Sequence, residues 1–293
     1  MNKRFFINLT DFEKISKAAQ IHNINNHQLP LDVLNSIKLM NSDPESRKSL
    51  EFFKFYYQLK AEKRFFCQHN FFNVLEEYYE QFTTNFNVNK PLFRARRMSE
   101  VEFQDRRLGL RNKDDENNNP FQGFDKEGSF LLPTKEIKAN RANSRGIPCL
   151  YVANDKDTAI AEVRPFKNTK VSLATIEIKK PLKLFNLSFD LLDLDMPGHS
   201  FMKKYPECFR SIALMFSAPY ENSENDEYLL TQCLSEYIRI SDQFDGIIYG
   251  SSLNYDGQNI AIFGCEHGNY GLCEPISSEV YSVKNIEIQY EKV

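Results

Sequence analysis

No CxxC pair occurs in the 293 residues, and the six cysteines (Cys67, Cys149, Cys208, Cys233, Cys265, Cys273) stand far apart. That excludes a zinc ribbon and a thioredoxin-like redox motif, and the thiols read as reduced. The tightest group is Cys265, His267 and Cys273, three ligands for a metal that usually takes four, so buried apolar thiols are the reading and no metal site is assigned. Long hydrophobic runs are lacking too. None approaches the ~20 residues needed to cross a bilayer, and Phe5 to Leu9 is too short for a signal h-region, so a cytoplasmic chain is expected. Glycine and proline number only 11 and 12, beside 41% hydrophobic and 26% charged residues, which describes one large or two modest ordered domains rather than a low-complexity chain. Charge of one sign is also missing. The net value is −3, and residues 1–88 hold 11 Lys and Arg against 10 Asp and Glu. Nonspecific binding to a phosphate backbone needs a cationic field, so no nucleic-acid partner is expected.

What is present is unevenly distributed. Twelve of the 25 phenylalanines precede residue 88, in a stretch with helical grammar and no strand signal. Asp11 is placed to cap a first helix, Pro30 to open a second, and Asp43-Pro44 to begin a third with Pro at its first turn. Phe72, Leu75, Tyr79 and Phe82 recur at helical spacing and predict a thick core-facing stripe. The reading is an all-helical bundle over 1–88, a linker at Asn85 to Pro91, and a mixed α/β domain over 89–293, α+β as a whole. Strands are expected at Leu92–Arg96, Cys149–Ala153, Val171–Ile178, Asp245–Tyr249 and Ile260–Phe263, with helices at Asp157–Arg164, Pro206–Ser217 and Glu227–Ile240. Six arginines between Arg94 and Arg111 face three acidic residues, a local patch suited to a small anion or to a solvated face. The polar run Arg111 to Asn119 reads as a long functional loop.

Chemistry concentrates between Arg141 and Pro165. A basic turn (Arg141-Ala142-Asn143) leads into a strand carrying Tyr151, then a short helix whose buried face is Ala159, Ile160 and Val163. Glu162 falls at the edge of that face, where a carboxylate can look into a cleft. Further on, Asp245-Gly-Ile-Ile-Tyr-Gly-Ser251-Ser252 and Gly257-Gln-Asn259 give a strand delivering a serine, a loop, and an asparagine before another apolar strand.

These segments resemble the RES domain, a family of NAD-degrading toxins. Arg141, Tyr151 and Glu162 match the family's Arg, Tyr and Glu in order and spacing, with Ala142 where the family has Trp. Leu92-Phe93-Arg94 resembles the start of such domains, and either Ser251 or Ser252 takes the place of the family serine, Ser251 being favoured. The resemblance spans roughly residues 90 to 275. It implies a fold akin to ADP-ribosyltransferases and cleavage of the nicotinamide–ribose N-glycosidic bond of NAD, with water or inorganic phosphate as acceptor. NAD is then substrate, and no cofactor is called for.

On that resemblance Arg141, Tyr151, Glu162 and Ser251 are the catalytic candidates, and Arg94, Asn143, Ser252 and Asn259 the substrate-binding ones. A carboxylate beside the ribose steadies an oxocarbenium-like state, arginines match pyrophosphate oxygens, and a tyrosine ring stacks on nicotinamide. Toxins of this family imply an antitoxin partner. A homodimer stays open, and residues 1–88 are expected to pack near the mouth of the cleft and modulate access. Two rivals remain. Arg64 and His69 match the Arg-x4-His pattern of HEPN ribonucleases, a helical family said to extend some RES proteins, although 14 Arg and 5 His produce such a pair readily by chance. The other is a noncatalytic nucleotide-binding or interaction protein.

Overall fold

The computed structural model describes residues 44–65, 68–107, 119–188, 205–218 and 228–286. The helices expected after Asp11 and Pro30, and most of the Arg111–Asn119 loop, lie outside them. Among the described residues the order is α1 (Pro44–Ala61), α2 (Phe71–Glu77), β1 (Thr83–Phe86), β2 (Leu92–Met98), α3 (Glu100–Arg107), β3 (Leu150–Ala153), α4 (Lys156–Glu162), β4 (Lys170–Ile178), β5 (Leu182–Leu187), α5 (Glu207–Ser217), α6 (Leu229–Ile240), β6 (Gly246–Gly250), β7 (Gln258–Ile262) and β8 (Cys273–Ser282). The class is α+β, with one eight-stranded sheet ordered β1-β5-β6-β7-β3-β2-β4-β8. All its pairings are antiparallel except β5 with β6.

The sheet has a weak point that matters for function. β2 runs along β4 for seven residue pairs but meets β3 at the single pair Phe93↔Ala153. Leu92, Ala174 and Ile176 from one side of that junction share a buried cluster with Leu150, Val152, Ile248 and Ile260 from the other, so the two half-sheets pack on each other through it. The opposite face of β5, β6 and β7 is covered by helices. There Phe185, Ile247, Tyr249 and Ala261 join Phe209, Ile212 and Phe216 of α5 and Leu230, Leu234 and Ile238 of α6.

The predicted aromatic stripe is real: Phe72, Leu75, Tyr79 and Phe82 are all buried. Its surroundings differ from expectation. The rings of α1 and α2 pack in the same cluster as α5, α6 and the sheet. Phe72 stacks on Tyr237 at 3.9 Å, and Phe82 lies 4.6 Å from Phe209 and 5.5 Å from Phe185, centroid to centroid. β1, which precedes residue 88, pairs with β5 through Thr83↔Phe185 to Phe86↔Leu182. The described part of the 1–88 segment therefore builds no separate aromatic core. α2 is two turns long and hides four apolar side chains, too few to stand alone, and the remaining rings find their cover on the sheet.

Candidate active site

The cleft opens where the sheet comes apart. Beyond Phe93↔Ala153 strands β2 and β3 no longer pair, and the Tyr151 carbonyl accepts a hydrogen bond from Arg94 Nη1 at 2.9 Å in place of a ladder partner. A cavity of about 370 Å³ lies there, lined by Arg94, Arg141, Tyr151, Glu162, Arg164, Tyr228, Tyr249 and Asn259 among others. That size suits a small-molecule ligand. Arg94 is half-buried, and desolvation, then the neighbouring Arg96, lowers its pKa to about 10, which leaves it cationic at neutral pH. Of the arginine-rich patch, Arg94 lines the cleft while Arg96 lies over the Phe124 ring and donates to the Gly128 carbonyl.

Glu162 is the last residue of α4, a helix whose start is fixed by Asp155 accepting from the Thr158 amide at 2.8 Å. Ala159 is buried there with Ile160 and Val163 packed beside it, the face read from the sequence, and Glu162 comes out exposed at its margin. Its Oε1 accepts from Ser251 Oγ at 2.7 Å and from Asn259 Nδ2 at 2.5 Å. Both partners are buried, so two rigid donors hold one carboxylate oxygen while the carboxylate stays open to the cleft. Ser251 is itself held, its Oγ accepting from the Leu253 and Asn254 amides at 3.1 and 3.3 Å. Ser252 is exposed, and among the described residues Ser251 is the serine that meets Glu162.

The loop bearing Ser251 reaches α4 through a close approach. A Cβ on Gly257 would sit 2.0 Å from Thr158 Oγ1, and the same oxygen accepts from Asn254 Nδ2 at 2.7 Å. Glycine is required there because Thr158 is fully buried and has no room to retreat.

Arg141 is held from three sides. Its Nη1 donates to the carbonyls of Met215, at 3.3 Å, and Phe216, in the last turn of α5. These belong to the carbonyls a helix leaves unpaired at its negative end. The guanidinium also lies 5.5 Å and 5.6 Å from the rings of Tyr228 and Tyr249. Tyr151 lines the cleft, and its hydroxyl accepts from the Ala142 amide at 2.9 Å and donates to Asn143 Oδ1 at 2.7 Å. Asn143 in turn donates to the Lys138 and Ser144 carbonyls at 3.0 and 2.9 Å. With each of its polar atoms engaged and only 2% of its surface exposed, Asn143 shapes the turn and is not among the residues lining the cleft. Burial holds both Tyr151 and Tyr249 well above the usual phenol range, so both stay neutral.

Tyr249 and Tyr228 were not read from the sequence as site residues. For Tyr249 a signal existed, since it stands on β6 two residues before Ser251 and opposite Asn259 in the register. Tyr228 precedes α6 without a motif of its own. Cys265 and Cys273 touch at 3.6 Å, and His267 Nδ1 lies 2.7 Å from the Leu131 carbonyl. His69, half of the ribonuclease-like pair, sits between α1 and α2, where its Nδ1 accepts from the Phe71 amide at 3.1 Å.

Fold and site together define an α+β protein with an arginine-lined cleft and one oriented carboxylate at the seam of a split sheet. The model of the RES domain family matches residues 94–283, well over half of the chain and inclusive of every cleft residue named above. The chain belongs to the RES domain family. A solved structure described as the M. tuberculosis MbcT-MbcA toxin-antitoxin complex is similar at 11% identity and a TM-score of 0.35, with 72% of this chain and 92% of that chain covered. No curated protein matches. Among the described residues no helix is long and apolar enough to cross a membrane.

Proposed function

We propose that the chain cleaves the bond between nicotinamide and ribose in NAD, passing the ADP-ribosyl group to water or inorganic phosphate. The observation that carries this reading is Glu162, fixed by Ser251 and Asn259 on the wall of a cleft that also holds Arg94 and Arg141. In the reaction the C1′–N bond breaks and its electron pair stays on nicotinamide, which leaves neutral. C1′ becomes electron-poor and gains a C–O bond from the acceptor, which releases a proton when the acceptor is water. Glu162 lowers the barrier by placing a negative charge beside the ribose as positive charge develops on it. Ser251 and Asn259 prevent the carboxylate from rotating away, so little reorganisation is needed at the moment of reaction. Arg94 and Arg141 pair with phosphate oxygens and hold the dinucleotide. Tyr151 acts by fixing the turn that presents Arg141. Ser252 and Asn143, expected to touch substrate, have no part in this scheme.

The test is to incubate the purified full chain with NAD, with and without phosphate, and to identify the products by mass spectrometry. Free nicotinamide with ADP-ribose, or with its 1″-phosphate, is the expected result. NAD recovered intact contradicts the proposal and leaves a noncatalytic nucleotide-binding role. An enzyme that consumes NAD endangers the cell making it, so a restraining protein, as the toxin resemblance implies, belongs to the same proposal.

A further inference from the structure

Arg164 stands in an unusual place. Three described non-glycine residues have positive φ: Asn168 at 68°, Asp242 at 53° and Arg164 at 45°. Asn and Asp visit this region readily because their short side chains bond locally, whereas arginine has no such relief. α4 ends at Glu162 with Val163 as its C-cap, and Arg164 follows at the position where helices favour glycine. Its amide donates to the Ala161 carbonyl at 2.8 Å, so the backbone turn itself asks nothing of the side chain. Strain of this kind persists where the surroundings hold it in place, and it clusters at ligand sites.

The side chain supplies the second observation. Arg164 lines the cleft, two residues from Glu162. Three arginines, Arg94, Arg141 and Arg164, line the cleft with one acidic residue, Glu162. Arg94 is tied to the Tyr151 carbonyl and Arg141 to the end of α5. Arg164 is exposed, and among the described residues its guanidinium makes no hydrogen bond or ion pair. It adds to Arg94 and Arg141 a third cleft arginine, one whose side chain no protein group holds among the described residues, and two linked phosphates can engage it together with the other two where a single phosphate cannot.

We infer that Arg164 is a specificity-determining residue that receives the diphosphate of a dinucleotide, and so selects diphosphate-bearing ligands over monophosphates. The assignment rests on the NAD reading for its substrate, but its test does not need turnover. ADP-ribose and AMP binding are measured by calorimetry on the full chain and on its R164G and R164K variants. Glycine suits the backbone, so R164G is expected to melt no lower than the parent. ADP-ribose affinity should fall about tenfold in R164G and less in R164K, while AMP affinity stays within about twofold. Where NAD turnover is seen, KM should rise in R164G with kcat nearly unchanged. Equal ADP-ribose affinity in parent and R164G, or no ADP-ribose binding by the parent, overturns the assignment. A parent that binds ADP-ribose through Arg164 yet cleaves no NAD refutes the proposed reaction and leaves the diphosphate site standing.

Discussion

The Tyr151 hydroxyl joins two atoms of the turn that presents Arg141, the Ala142 amide and Asn143 Oδ1, in a region where both of those residues are buried. Removing it in Y151F leaves a donor and an acceptor unpaired, which should cost about 1–3 kcal/mol by urea denaturation, with loss of turnover following from a misplaced Arg141. An unchanged unfolding midpoint would show that the hydroxyl is not the clamp. Burial also protonates the interior at high pH. Cys149 and Cys208 are pushed up from 9.0 to about 12, and Tyr151 lies well above its usual value of 10.0. These groups keep their protons in the folded chain at pH values where the unfolded chain loses them. Their contribution is fully present below about pH 9 and is lost as pH rises toward the folded values. The melting temperature should therefore decline above about pH 9, and a flat profile to about pH 10.5 would contradict this account of the core.

The short elements α4 and the 251–257 loop form one unit, held by Gly257 against Thr158 and by Asn254 on the same threonine. G257A drives a Cβ into a buried side chain, so a loss of roughly 1–3 kcal/mol is expected. Turnover should drop by more than the unfolded fraction explains, because Ser251 moves off Glu162. Activity falling only in proportion to folded protein would separate the loop from the site. Much of this unit was legible in the sequence: the helix before Pro165, its buried face, the marginal Glu162 and the strand delivering Ser251. Other elements were hidden by their composition. β8 holds Pro275 and polar residues and runs along the sheet edge with a bulge in its pairing, and β1 is a four-residue polar edge strand, so neither shows a hydrophobic alternation. In α3 a capping box was present, with Ser99 and Glu102 exchanging hydrogen bonds, yet the charges around it read as a patch. Asn143 looked like a ligand residue because a sequence does not show which polar atoms the fold has already paired.

At the scale of the whole molecule, composition divided the chain at about residue 88, while packing joins its described parts. α1 and α2 share one core with α5, α6 and β5, and β1 pairs with β5. A chain beginning near Asn89 loses β1 and uncovers Phe185 and Phe209, both fully buried, so it should fail to fold alone. The full chain should show a single cooperative calorimetric transition, and two separated transitions would restore independent units. The regulatory role expected for residues 1–88 is thus best tested on the intact chain.

In the proposed reaction Glu162 is the charge that steadies the ribosyl centre. The most direct measurement compares NAD turnover by the full chain and by E162Q, which keeps size and the Ser251 and Asn259 contacts in reach but removes the charge, with melting curves confirming that both fold. Turnover should fall by a factor on the order of 10² or more while the melting temperature stays close to that of the parent. Near-normal nicotinamide release by folded E162Q would contradict the mechanism.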